Sequence, residues 1–129
     1  VIGRLHHVII DCPDPGGLAA FYAELLGQDI TYADEDFAVV AEDARHSGLA
    51  FQRAPDHRAP RWPDPGYPQQ VHLDVMVDDP VYAVSQVVAL GASRLTSPDG
   101  GYVFADPAGH PFCLIPRPSW AAPIHPVSD

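Results

Sequence analysis

Two histidines head two similar stretches of this chain. The first reads Leu5-His6-His7-Val8-Ile9-Ile10-Asp11, then Asp14-Pro15, then an amphipathic run closing at Leu26-Gly27. The second reads Val71-His72-Leu73-Asp74-Val75-Met76-Val77, then Asp79-Pro80, then a run closing at Leu90-Gly91. His7 and His72 lie 65 positions apart, and Gly27 and Gly91 lie 64 apart. An imidazole can ligate a metal, move a proton or hydrogen-bond a ligand. One histidine at the same place in each copy of a repeated unit predicts two halves that build one site between them.

The elements that would position these groups follow from the pattern of residue types. Alternation over residues 4–11 predicts a strand with His7, Ile9 and Asp11 on one face and His6, Val8 and Ile10 on the other. Asp14 and Pro15 form a helix start, and Leu18, Phe21, Tyr22, Leu25 and Leu26 make one apolar stripe. Gly27 ends that helix. Strands are expected at 30–33, 37–42 and 48–53, with the acidic turn Asp34-Glu35-Asp36 between the first two. Residues 54–68 carry prolines at 55, 60, 63, 65 and 68 and read as a linker. A strand over 70–77, a helix from Pro80 to Gly91, and strands at 93–96, 102–105 and 111–115 complete a second β-α-β-β-β unit. In both leading strands the aliphatic face belongs under the helix. The other face, with His7, Asp11, His72, Asp74 and Met76, belongs around a ligand cavity.

Composition narrows the function. A length of 129 residues suffices for one domain with a real core. A formal charge of −10 with only 7 Lys+Arg disfavours nucleic acid and anionic membranes as partners. The sequence has no apolar run long enough to cross a membrane and no signal-peptide pattern. Cys12 and Cys113 form neither a metal-binding doublet nor a disulfide framework, so reduced thiols in a cytoplasmic protein are expected.

Several pieces together resemble the vicinal oxygen chelate superfamily, and within it the glyoxalase-like (glyoxalase/bleomycin resistance/dioxygenase) proteins. They are Leu5-His6-His7-Val8, Phe21-Tyr22 through Leu25-Leu26-Gly27, His72-Leu73-Asp74 with Asp78-Asp79, Leu90-Gly91-Ala92, and Asp106-Pro107-Ala108-Gly109-His110-Pro111-Phe112-Cys113. The resemblance spans roughly residues 4–116. It implies an α+β fold: two tandem βαβββ modules forming a curved mixed sheet around a cleft, with the helices outside. The modules would cover about 4–54 and 69–118 of a single domain, joined by a linker over about 55–68 and followed by an irregular tail, 119–129.

Metal-using members of that superfamily place four ligand slots in the cleft, on the first and last strand of each module. By resemblance the slots match His7, His72, Gln52 and Cys113, so both histidines are kept and both last-strand carboxylates are missing. Hard divalent ions want carboxylate oxygen, whereas a thiolate favours Zn²⁺. The implied metal set is therefore His7, His72 and Cys113, with Gln52 or water fourth. Asp74 or Asp11 would be a substitute carboxylate, displaced by about 7 Å for each two residues along its strand. The alternative is that no metal binds, with Cys113 a small apolar residue and the histidines hydrogen-bonding. A nucleophilic Cys113 would need a lowered pKa.

The remaining expectations are simpler. His6 should face the helix; His46, His57 and His125 belong to loops or tail, and His110 to an exposed turn. Trp62, Tyr67, Tyr102, Phe104 and Trp120 are candidates for an aromatic wall. The ligand-binding cleft is expected to hold His7, Gln52, His72, Asp74, Cys113, Trp62 and Tyr102 around a small organic molecule. The resemblance implies a lyase or isomerase with a divalent metal, a metal-free antibiotic-type binding protein, or an extradiol-type dioxygenase, for which Cys113 replaces the expected glutamate. It also implies pairing of modules within one chain or across a homodimer.

Overall fold

A computed structural model describes residues 1–124; His125 lies outside them. The chain divides into two compact units, Val1–Arg58 and the residues from Ala59 onward, each an α+β βαβββ module with its own four-stranded mixed sheet.

The first module runs β1 (Val8–Cys12), α1 (Pro15–Leu26), β2 (Asp29–Ala33), β3 (Phe37–Ala41) and β4 (Leu49–Arg53). Its sheet order is β1-β4-β3-β2, with β1 and β4 parallel. The Asp14 carboxylate accepts from the Gly17 N–H at 3.2 Å, and Pro15 takes the first turn where no N–H is needed. Gly27 at φ 63° returns its N–H to the Ala23 carbonyl. Ile10 and Cys12 from the sheet, with Leu18, Phe21 and Tyr22 from α1, bury the helix-packed face. Tyr22 stacks on Phe51 with ring centroids 5.4 Å apart. The open face carries a second apolar patch, Val39, Ala41 and Ala50 with Phe37 beside it.

The second module runs β5 (Leu73–Val77), α2 (Pro80–Leu90), β6 (Ser93–Leu95), β7 (Tyr102–Ala105) and β8 (Pro111–Pro116), with sheet order β5-β8-β7-β6. Asp79 caps α2 through the N–H groups of Val81 and Tyr82, and Gly91 closes it at φ 115°. Phe104 and Phe112, 5.7 Å apart and fully buried, form its core with Leu114, Ala83 and Val87.

Two expectations are corrected here. The leading strands start later than the alternation suggested, at Val8 and Leu73, because the residues before them have no strand partners. His110 is buried rather than exposed. Its imidazole Nδ1 sits 2.9 Å from the buried Asp106 carboxylate, whose other oxygen also accepts the N–H groups of Ala108 and His110. No helix of the described residues is long and apolar enough to cross a membrane.

Candidate functional site

The two modules can be compared strand by strand through their hydrogen-bond registers. In the second, Leu73 pairs with Phe112 and Asp74 with Cys113, while Cys113 pairs with Val103 on its other side. In the first, Val8 pairs with Leu49 and Ile9 with Ala50, while Ala50 pairs with Val39. Matching His7 with His72 therefore matches Ile9 with Asp74, Ala50 with Cys113 and Val39 with Val103. The first-module counterpart of Cys113 is Ala50, not Gln52. Gln52 lies two residues further on, opposite Asp11, about 13 Å along the strand from the level of His7.

The open faces of the two modules differ chemically. On the second module the open face is polar. One donor atom each from His72, Asp74 and Cys113 lies within 4.8 Å of the others, and His72 Nε2 is 3.3 Å from the Asp74 carboxylate. Burial, then the charges of Asp74 and Asp99, push the Cys113 thiol up, so it stays protonated at neutral pH. That opposes a nucleophilic role. A nitrogen, an oxygen and a sulfur donor do suit a borderline-soft ion such as Zn²⁺, with a fourth position left for solvent or ligand.

On the first module the open face is apolar. His6, His7, Ile9, Tyr32, Asp34, Phe37 and Val39 line a recess of about 480 Å³. Tyr32 reaches it because of a bulge in β2: Ile30 pairs with Val40, but Tyr32 pairs with Val39. Val40 belongs to the helix-packed face and Val39 to the open one, so the extra residue, Thr31, turns Tyr32 over. Its hydroxyl then donates to Asp34 Oδ2 at 2.5 Å, which keeps the Asp34 carboxyl below the usual carboxylate range and raises the phenol. Gln52 lines a neighbouring hollow with Asp36, Phe37, Arg53 and Pro55, and Phe37 is the wall common to both.

His7 is fixed in its neutral form. The Gly48 N–H donates to His7 Nδ1 at 3.0 Å, so Nδ1 is an acceptor and the ring proton sits on Nε2. Burial, and secondarily the nearby His6, hold its pKa below the usual imidazole value of 6.5. His6 also lines this recess, with its ring 3.9 Å from that of His7, rather than facing the helix; strand alternation does not reach back before Val8. A depressed imidazole contributes stability above pH of about 6.5 that is lost as pH falls through the lower folded value. Melts between neutral and mildly acidic pH should therefore show a steeper acid-side loss of Tm for the native chain than for His7→Gln, whose amide oxygen still accepts from Gly48. Equal slopes would remove His7 as the titrating group.

The other candidates are dispersed. Tyr102 pairs with Leu114, which places it on the face opposite Cys113, where Arg94 lies 5.1 Å from its ring. Phe104 belongs to the buried core, Tyr67 is covered by Arg61 at 4.2 Å, and Trp120 is exposed. Trp62 is partly buried, and its shielded indole N–H has no hydrogen-bond partner among the described residues. His46 is an exposed loop residue paired with Asp43 at 2.6 Å. Sequence reasoning does not single out Tyr32, Asp34, Phe37, Ile9 and Val39 as site residues. Alternation could have shown Ile9, Phe37 and Val39, but nothing in the residue types announces the bulge that turns Tyr32.

Comparison with known proteins agrees with this architecture. A glyoxalase/bleomycin resistance protein/dioxygenase family enzyme from Burkholderia phytofirmans PsJN is 17% identical with a TM-score of 0.63, covering 87% of this chain and 97% of its own. The fosfomycin resistance protein FosX from Mesorhizobium loti is 14% identical with a TM-score of 0.63, covering 93% and 96%. A bleomycin-binding protein from Streptomyces verticillus, in complex with copper(II)-bleomycin, is 19% identical with a TM-score of 0.52, covering 92% and 100%. No curated protein sequence gives a significant match. At these identities the structures establish the fold alone. The sequence profile of the glyoxalase-like domain matches residues 7–115, nearly the whole of both modules, and the chain belongs to the glyoxalase-like domain family.

Proposed function

We propose that this chain binds a small organic molecule in the recess on the open face of its first module, without needing a metal there. The observation that carries this reading is the replacement of donors by apolar groups at that level: Ile9 and Ala50 stand where the second module has Asp74 and Cys113. The recess volume of about 480 Å³ falls in the range of small-molecule sites, and its apolar floor with a few polar groups is the usual composition. Fold relatives that bind bleomycin or belong to fosfomycin resistance support the reading as instances of the same architecture used on small molecules. Naphthalenemethanol, a neutral aromatic probe, should bind the native protein in excess EDTA. Ile9→Asp should weaken it at least about tenfold; Ile9 is half exposed, so the variant should fold.

A second reading, a metal-dependent lyase or isomerase, is favoured by the donor cluster of the second module. His72, Asp74 and Cys113 would hold the ion, which when bound would polarise adjacent substrate oxygens. Cys113 must then surrender the proton that burial and Asp74 help it keep, so affinity should rise with pH. The extradiol arrangement of two histidines and a glutamate is not favoured by this mixed set. Under the metal-free reading, EDTA and Zn²⁺ should each leave the Tm within about 1 °C, whereas [L]/Kd of about 100 at a metal site would add roughly 2.7 kcal/mol. A Tm lowered by EDTA and restored by Zn²⁺, with loss of the effect in Cys113→Ala, would select the metal reading.

A further inference from the structure

Resting on the recess reading, we infer that the preferred ligand is an aromatic molecule carrying a protonated amine. The recess has one fixed charge of known sign. Asp34 is ionised, and neither lysine nor arginine lines the cavity. Of the two histidines, His7 is neutral by its bond from Gly48, and His6 stands exposed at the rim.

The Asp34 carboxylate is held rigidly by its own turn. Oδ1 accepts from the N–H groups of Asp36 at 2.8 Å and Phe37 at 2.9 Å, and Oδ2 accepts from the Tyr32 hydroxyl. A carboxylate has about four acceptor positions, so one remains on Oδ2. Because the Tyr32 proton is spent on Asp34, the phenol oxygen is left with acceptor character only. Two acceptors thus flank one corner of the cavity, which suits an ammonium group with several N–H donors and repels a carboxylate.

The rings supply the rest. Tyr32 and Phe37 lie 6.4 Å apart and tilted at 57°, so they present an aromatic corner beside that charge. Such a corner attracts a cation through the ring faces and an aromatic body through stacking. Ile9 and Val39 continue the apolar surface for a flat ring system. The acidity of the chain as a whole, at −10, adds long-range attraction of the same sign.

Three probes of one shape and different charge test this: naphthylmethylammonium, naphthalenemethanol and naphthoate, titrated against the full chain at low and moderate salt. The ammonium should bind about tenfold more tightly than the alcohol, and the carboxylate more weakly than both. Added salt should narrow the spread. Asp34→Asn keeps a side-chain oxygen for the turn and should cost the ammonium about fivefold more than it costs the alcohol; an equal loss for both would count against the charge reading. Equal binding of all three probes would overturn the inference and leave the recess reading standing. Failure of every probe to bind would overturn both. If Asp34→Asn does not fold, the ranking and its salt dependence in the native chain decide the matter alone.

Discussion

Asp106→Ala is expected to destabilise the protein by about 4 kcal/mol, read as a lower urea midpoint at unchanged m-value and a Tm reduced by about 10 °C or more. Asp106 is buried, its side chain fully so, and its carboxylate organises the turn ahead of β8. It accepts from Ala108 N–H at 2.9 Å, His110 N–H at 3.0 Å and the His110 imidazole at 2.9 Å. Truncation would strand the two buried His110 donors and the part-buried Ala108 N–H without acceptors, and leaving donors unmatched costs more than losing the bonds themselves. Asp106→Asn keeps one oxygen for the two backbone donors but turns its NH2 group toward the imidazole, so about half the loss is expected. The turn also sets where β8 begins and hence where Cys113 falls opposite Asp74. Cys12 is wholly buried, so Cys113 is the cysteine a thiol reagent should reach first, and its modification should accelerate in Asp106→Ala. A variant as stable as the native chain would show that the turn is held by its backbone alone.

Gly48→Ala is expected to cost about 3 kcal/mol and about tenfold in affinity for an aromatic probe. A methyl at this position would collide with the Val40 carbonyl oxygen and come within 2.8 Å of the Ala41 Cβ. Both belong to β3, whose backbone cannot rotate away as a side-chain tip would. The clash has a second consequence, because the same Gly48 N–H fixes His7 in its neutral tautomer. Shifting residue 48 therefore disturbs the packing of the sheet and one wall of the recess together. Thermal melts read the first effect and probe titration the second. A destabilised variant with native affinity would separate His7 from ligand binding.

The sequence made the helices plain and the registers obscure. Asp14-Pro15 with Gly27, and Asp79-Pro80 with Gly91, mark both helices to the residue because capping is a local interaction. Strand register depends on partners distant in sequence, so the residues alone match Gln52 with Cys113, whereas the pairing puts Ala50 opposite Ile9 and Gln52 opposite Asp11. The turn of Asp106 to Gly109 anchors β8 in the sequence, and β4 has no such marker. The two-residue offset of Asp74 from His72 suggested too great a displacement. Parallel pairing with β8 instead places Asp74 directly beside Cys113. His110 shows the opposite error: a polar residue in a turn reads as solvated, and only its partner Asp106 makes burial affordable.

The extra residue in β2 has a consequence beyond Tyr32 itself. The equivalent outer strand of the other half, β6, pairs regularly, with Arg94 opposite Phe104 and Leu95 opposite Val103, and turns no phenol toward the open side. At this outer strand the two copies of one plan differ by one extra residue, placed at the periphery where the neighbouring buried strand keeps its register. A duplicated scaffold can acquire a new specificity in this way by counting residues rather than exchanging them.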